Sequence, residues 1–159
     1  MSKGALITIV VVVVVLVIVG LFLMFLNQGG NFGGGLGQGG KMFEIQGMKV
    51  EVLREGSGDE VKAGDLVTTH YVGTLPDGTE FDSSLKRNVP FTFQVGKNKV
   101  ISGWDLGVMG MKVGEQRKLT VPPELAYGLD GFPPTIPANT SLTYVIEVLG
   151  ITPGPEDNQ

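Results

Sequence analysis

An unbroken run of 22 uncharged, almost wholly apolar residues, Ala5 to Leu26 (ALITIVVVVVVLVIVGLFLMFL), constrains this chain more than any other feature. As a helix rising about 1.5 Å per residue, it matches the roughly 30 Å hydrocarbon layer of a bilayer. Valine is a mediocre helix former in water, but a bilayer leaves the backbone no other local way to satisfy its polar groups. The run therefore predicts a single transmembrane helix over about 5–26, within a signal anchor of residues 1–26. A cleaved secretory signal is the rival reading, since Lys3 supplies a short basic start. Against it, the apolar core exceeds the usual ~7–15 residues, and Asn27-Gln28-Gly29-Gly30 offers no Ala-x-Ala-like cleavage site. Lys3 precedes the run and the next basic residue is Lys41. The positive-inside rule then keeps the N-terminus inside the cytoplasmic (inner) membrane and places the remainder on the non-cytoplasmic side of this single-pass protein.

Residues 27–40, NQGGNFGGGLGQGG, have neither charge nor hydrophobic period. They read as a flexible linker with a reach of about 20 Å. A phosphate-binding loop is the alternative for so many glycines, but no G-x-x-x-x-G-K-[ST] occurs and no strand precedes them. The net charge of −4 and pI near 4.9 lack the basic stripe that nucleic acid requires. With no cysteine and one histidine, His70, thiol catalysis, disulfides and multi-His zinc sites are excluded. No metal or cofactor is expected.

From Met42 the chain reads as short extended runs divided by turns: MKVEVLREG, LVTTHYVGTL, TEFDSS, FTFQVG, QRKLTVP and SLTYVIEVLG. Period-two alternation is clearest in Met48-Val50-Val52 and Leu142-Tyr144-Ile146-Val148. Ile101 to Met109 is the best helix candidate, with Ser102 as cap and Trp104, Val108 and Met111 at helical spacing. It is short and weakened by glycine, so only packing against a sheet could hold it. About 110 residues bury one modest core, which gives a single α+β domain over 41–151, followed by a disordered tail at 152–159. The segment His70 to Ser84, HYVGTLPDGTEFDSS, reads on its own as an ordinary hairpin around Pro-Asp-Gly.

VTTHYVGTLPDGTEFDSS, then RNVPFTFQVGKNKVISGWDLGVMGMKVGEQRKLTVPPELAYG, then a Pro-rich loop and SLTYVIEVL together resemble the FKBP family of peptidyl-prolyl isomerases. The resemblance runs from about Gly47 to Ile151 and excludes the first forty residues. It implies a twisted antiparallel sheet curled around one short helix, with an apolar pocket between them. By the resemblance, Tyr71, Asp82 and Tyr127 are the candidate catalytic residues. Phe81, Arg87, Phe91, Val100, Ile101, Trp104, Ile136 and Tyr144 would bind substrate, with Trp104 as the floor and Arg87 pairing with Asp82. Lys99 stands where several family members have Glu, Phe132 replaces a common His, Thr135 a common Ile and Tyr144 a common Phe. These departures bear on which peptides or macrolides bind.

An X-Pro bond turns over slowly because amide resonance holds it planar, yet no covalent bond breaks when it isomerises. The planar amide is more dipolar than the twisted one, so an apolar pocket raises the ground state relative to the transition state. Tyr127 is placed to donate its hydroxyl proton to a substrate carbonyl, and the Ile101 N–H resembles a second family donor. Two roles remain open for Asp82: biasing the carbonyl electrostatically, or holding Tyr71 and Arg87. The expected function is a membrane-tethered isomerase acting on Pro-containing unfolded or nascent polypeptides, as a monomer. A non-catalytic Pro-peptide-binding or chaperone module using the same pocket is the alternative.

Overall fold

β4 (Leu66–Thr74) organises the domain, because it alternates along its whole length and pairs on both edges. Val67, Thr69, Tyr71 and Gly73 face inward while their neighbours are only partly covered. One edge pairs with β9 (Leu142–Thr152). The other is shared: β6 (Phe91–Gln94) pairs with Leu66 to Thr69, and β5 (Glu80–Ser83) with Val72 to Thr74. The computed structural model of the chain describes residues 40–155.

With β1 (Met42–Ile45), β2 (Met48–Arg54) and β8 (Gln116–Val121), these strands form a seven-stranded antiparallel sheet ordered β1-β2-β8-β9-β4-β5, with β6 also on β4. A small second sheet joins β3 (Ser57–Glu60) to β7 (Lys112–Val113). Two short α-helices, α1 (Ser84–Arg87) and α2 (Ser102–Val108), and a 3-10 turn at Pro123–Leu125 complete the architecture. The alternating residues read from sequence do form the core: Met48, Val50 and Val52 on β2, and Leu142, Tyr144, Ile146 and Val148 on β9, are all buried. The FKBP-like expectation of a curled antiparallel sheet with one principal short helix is met within the unit Gly40–Gln159.

α2 lies against β8 through a glycine face. A Cβ on Gly107 would come within 2.4 Å of Leu119 Cδ1, and one on Gly103 within 2.4 Å of Val121 Cγ1. The glycines that weaken the helix locally are thus what lets its backbone approach the sheet. Its C-terminal carbonyls are capped from the sheet: Arg117 Nη1 donates to Gly107 O at 2.9 Å and Met109 O at 3.0 Å. Arg117 Nε donates to buried Glu115 at 2.6 Å, and the guanidinium lies over the Phe43 ring.

Several boundaries differ from expectation. Ser102 does not cap α2; Ile101 occupies the N-cap, with no side-chain cap bond, and its carbonyl accepts from Trp104 N at 2.9 Å. The helix ends at Val108, although Met111 is fully buried beyond it. TEFDSS is not extended throughout, since Ser83 Oγ accepts from Lys86 N and starts α1. Thr152, expected in the tail, is the last residue of β9 and pairs with Leu66. The anchor of 1–26, the linker up to residue 39 and residues 156–159 lie outside the described residues. Among the described residues no helix is long and apolar enough to cross a membrane.

Candidate functional site

The turn after β4 brings the first site residues together. Leu75 N donates to Thr79 O at 2.8 Å and Gly78 N to Leu75 O at 2.9 Å, with Gly78 at φ +87°, a conformation that favours glycine. This closes β5 onto β4 so that Asp82 lies opposite Gly73, whose other neighbour is Tyr144 on β9. Gly73 must be a glycine here: a Cβ would meet Phe81 Cζ at 2.8 Å and Tyr144 Cε1 at 2.9 Å. Over that gap the Phe81 and Tyr144 rings meet edge to face at 5.7 Å. Glycine in a β-branched strand is the sequence signal for such a close approach.

Tyr71 donates its hydroxyl proton to Asp82 Oδ2, and Arg87 Nη1 bonds the other oxygen, Oδ1. Arg87 Nη2 also donates to the Tyr71 hydroxyl at 2.9 Å, and the guanidinium lies 5.8 Å from the centre of that ring. Burial alone would raise the Asp82 carboxyl, but the bonds from Tyr71 and Arg87 and the guanidinium charge outweigh it and hold its pKa below the ordinary value. Burial first, and then the bond to Asp82, raises Tyr71 above the usual phenol range. Sequence reasoning missed the anchor behind this group. Buried Ser84 Oγ accepts from Tyr71 N at 2.8 Å and lies 2.9 Å from His70 Nδ1, tying the start of α1 to β4. The Ser-Ser pair at the end of β5 is a helix-cap signal that marks where α1 begins, but not the bond from Ser84 to β4.

Trp104, only 4% exposed, forms the base. Four aromatic rings meet its indole edge-on: Tyr71 at 4.9 Å, Tyr144 at 5.4 Å, Phe93 at 5.5 Å and Phe91 at 5.9 Å. Each such pair contributes about 0.5–1.5 kcal/mol beyond area burial, so the ring is fixed in place. Above it opens a cavity of about 300 Å³. Its lining includes nine of the expected residues: Tyr71, Phe81, Asp82, Phe91, Val100, Ile101, Trp104, Tyr127 and Tyr144. Two expected residues are elsewhere. Arg87 is outside the lining and reaches the site through Asp82 and Tyr71. Ile136, 2% exposed, is a core residue whose backbone bridges to Phe132 and so fixes the loop rather than the wall. Lys99, noted in the sequence only as a departure, does line the cavity.

Tyr127 is at the mouth, 36% exposed, with Phe132 5.8 Å from its ring. Burial of its inner part and the nearby Asp82 charge raise its pKa, and burial raises Tyr144 further. All three tyrosines therefore remain protonated at neutral pH, as donors. His70 is not among the lining residues, and among the described residues no cluster of His, Cys, Asp and Glu could hold a metal.

Residues 58–149 match the family model described as FKBP-type peptidyl-prolyl cis-trans isomerase. The chain belongs to this FKBP family. FK506-binding protein 1A of Aspergillus fumigatus is 50% identical over 106 residues, which cover 66% of this chain and 95% of that protein. The mouse peptidyl-prolyl cis-trans isomerase FKBP2 is 52% identical over 90 residues, 57% of this chain and 64% of that one. The crystal structure of AtFKBP13 superposes with a TM-score of 0.66 at 36% identity, covering 70% of this chain and 99% of that one. The chain is thus an FKBP-type peptidyl-prolyl cis-trans isomerase.

Proposed function

We propose that this isomerase works as a membrane-tethered folding catalyst whose cavity accelerates Xaa-Pro rotation by desolvation and fixed donors. The observation that supports this most is the Trp104 base, held by four ring edges beneath a cavity whose one carboxylate has both oxygens already bonded. The proline ring rests on the indole and its amide leaves water. The planar, dipolar ground state then loses more solvation than the twisted transition state. Tyr127 and the Ile101 N–H orient the flanking carbonyls, while Phe81, Phe91, Val100 and Tyr144 exclude water. Arg87 and Asp82 hold Tyr71 upright. No proton is transferred and no covalent intermediate forms. Macrolides such as FK506, which names several relatives, would occupy the same cavity.

The Ala5–Leu26 run and the glycine-rich segment after it support a tether to the cytoplasmic membrane with the isomerase domain, a monomer, on the non-cytoplasmic side. Clients would be unfolded or newly exported chains. The full-length protein should remain in the membrane fraction through high-salt and alkaline washes while accelerating Leu-Pro isomerisation there. Activity that washes off with the full-length chain would refute the tether, and membrane-bound protein without activity would refute the catalytic reading.

A further inference from the structure

Of the ten residues lining the cavity, eight are uncharged at neutral pH; Asp82 and Lys99 are the exceptions. Asp82 is spent internally, one oxygen on the Tyr71 hydroxyl and the other on the Arg87 guanidinium. Lys99 is exposed, on the segment between β6 and α2, and makes no hydrogen bond or ion pair among the described residues. Asp105, on α2, accepts from Gly96 N through Oδ1 at 2.8 Å and is not among the residues lining the cavity. The cavity lining therefore carries one positive charge with no ion-pair partner among the described residues, on a flexible stem, beside largely aromatic and aliphatic walls.

We infer that Lys99 sets substrate preference, favouring proline peptides with an acidic side chain within two residues of the proline. The inference rests on the cavity being the substrate site. A lysine ammonium, with three rotatable donors on a four-carbon stem, can follow a peptide carboxylate without demanding one geometry. The walls meanwhile take the apolar part of the peptide. The chain as a whole is acidic, −4, so its net field opposes acidic peptides. A preference for them is a local property of the cavity mouth.

The test uses the full-length chain in non-ionic detergent and peptides in which Leu-Pro is constant. Glu, Gln or Lys is placed before Leu or after Pro. At low ionic strength kcat/KM should fall in the order Glu, Gln, Lys at one of these positions. Each step should be about two- to fivefold, as for an exposed ion pair. The differences should shrink toward unity near 1 M salt, where screening acts within about 3 Å. Lys99→Glu should invert the order and Lys99→Gln should flatten it; ratios within one variant are independent of how much of it folds. Equal rates at both positions in the wild type, or an order that survives Lys99→Glu, would overturn the assignment. The same order can be read in binding titrations through the fluorescence of Trp104, the only tryptophan. Ordered binding without turnover would count against catalysis but for Lys99; turnover without order would do the reverse.

Discussion

Asp82 and Trp104 contribute to the cavity in opposite ways, and magnitudes separate them. The Asp82–Arg87 pair is partly solvated, with side chains 39% and 49% exposed. Pairs of that kind contribute about 0.2–1 kcal/mol. Trp104 is the contact surface itself and touches four rings. Trp104→Leu should therefore lower kcat/KM by about tenfold or more, equivalent to about 1.4 kcal/mol, while Asp82→Asn should cost less than about fivefold. Circular dichroism on each variant checks that the fold persists. Tyr127→Phe removes one hydrogen bond from a half-solvated donor and should cost roughly two- to tenfold, read in the same assay. A larger loss from Asp82→Asn than from Trp104→Leu would mean that the carboxylate, not the apolar base, lowers the barrier.

At the level of elements, α2 shows how a helix with poor local credentials becomes obligatory. Glycine to alanine in an exposed helix normally stabilises by about 1 kcal/mol. Gly107→Ala should instead destabilise by about 1–3 kcal/mol, because the new methyl would collide with Leu119. Urea denaturation would show it as a lower midpoint at unchanged slope. Arg117→Leu should cost about 3–5 kcal/mol, since it uncaps α2 and leaves the Glu115 carboxylate buried without its partner. Adding Glu115→Gln should recover part of that loss. The same elements show what the sequence could disclose. β2, β4 and β9 were legible because their inward residues alternate over seven or more positions. β3 was not: Ser57–Glu60 is exposed throughout and exists through its pairing with β7. The α2 cap was misplaced because Ser102 looks like a cap locally, whereas the helix end is set by contacts with β8. Arg117 was hidden for the same reason, a charged residue on the buried face of β8. Most of the cavity lining was legible, but only through family resemblance. Taken singly, each of its aromatics reads as core, and Ile136 is indeed core.

For the whole molecule, the pH–rate profile sums every group that titrates in the working enzyme. The cavity offers few candidates. Asp82 is held below the ordinary carboxylate range, so it is charged throughout neutral pH. Its stabilising contribution is present above the unfolded carboxylate value and is lost as pH falls through the lower folded value. The three cavity tyrosines are raised above the phenol range and keep their protons until strong alkali. Their contribution is complete below about pH 10 and declines as pH rises past it. The decisive measurement is kcat/KM on a Leu-Pro peptide across pH 5 to 9, made on the wild type and on Asp82→Asn. A desolvating cavity with fixed donors predicts a flat profile between about pH 6 and 8 for both, with Asp82→Asn shifted down but unchanged in shape. A bell-shaped wild-type profile with a limb that Asp82→Asn moves or abolishes would contradict it, because a proton would then be changing hands in the catalytic step.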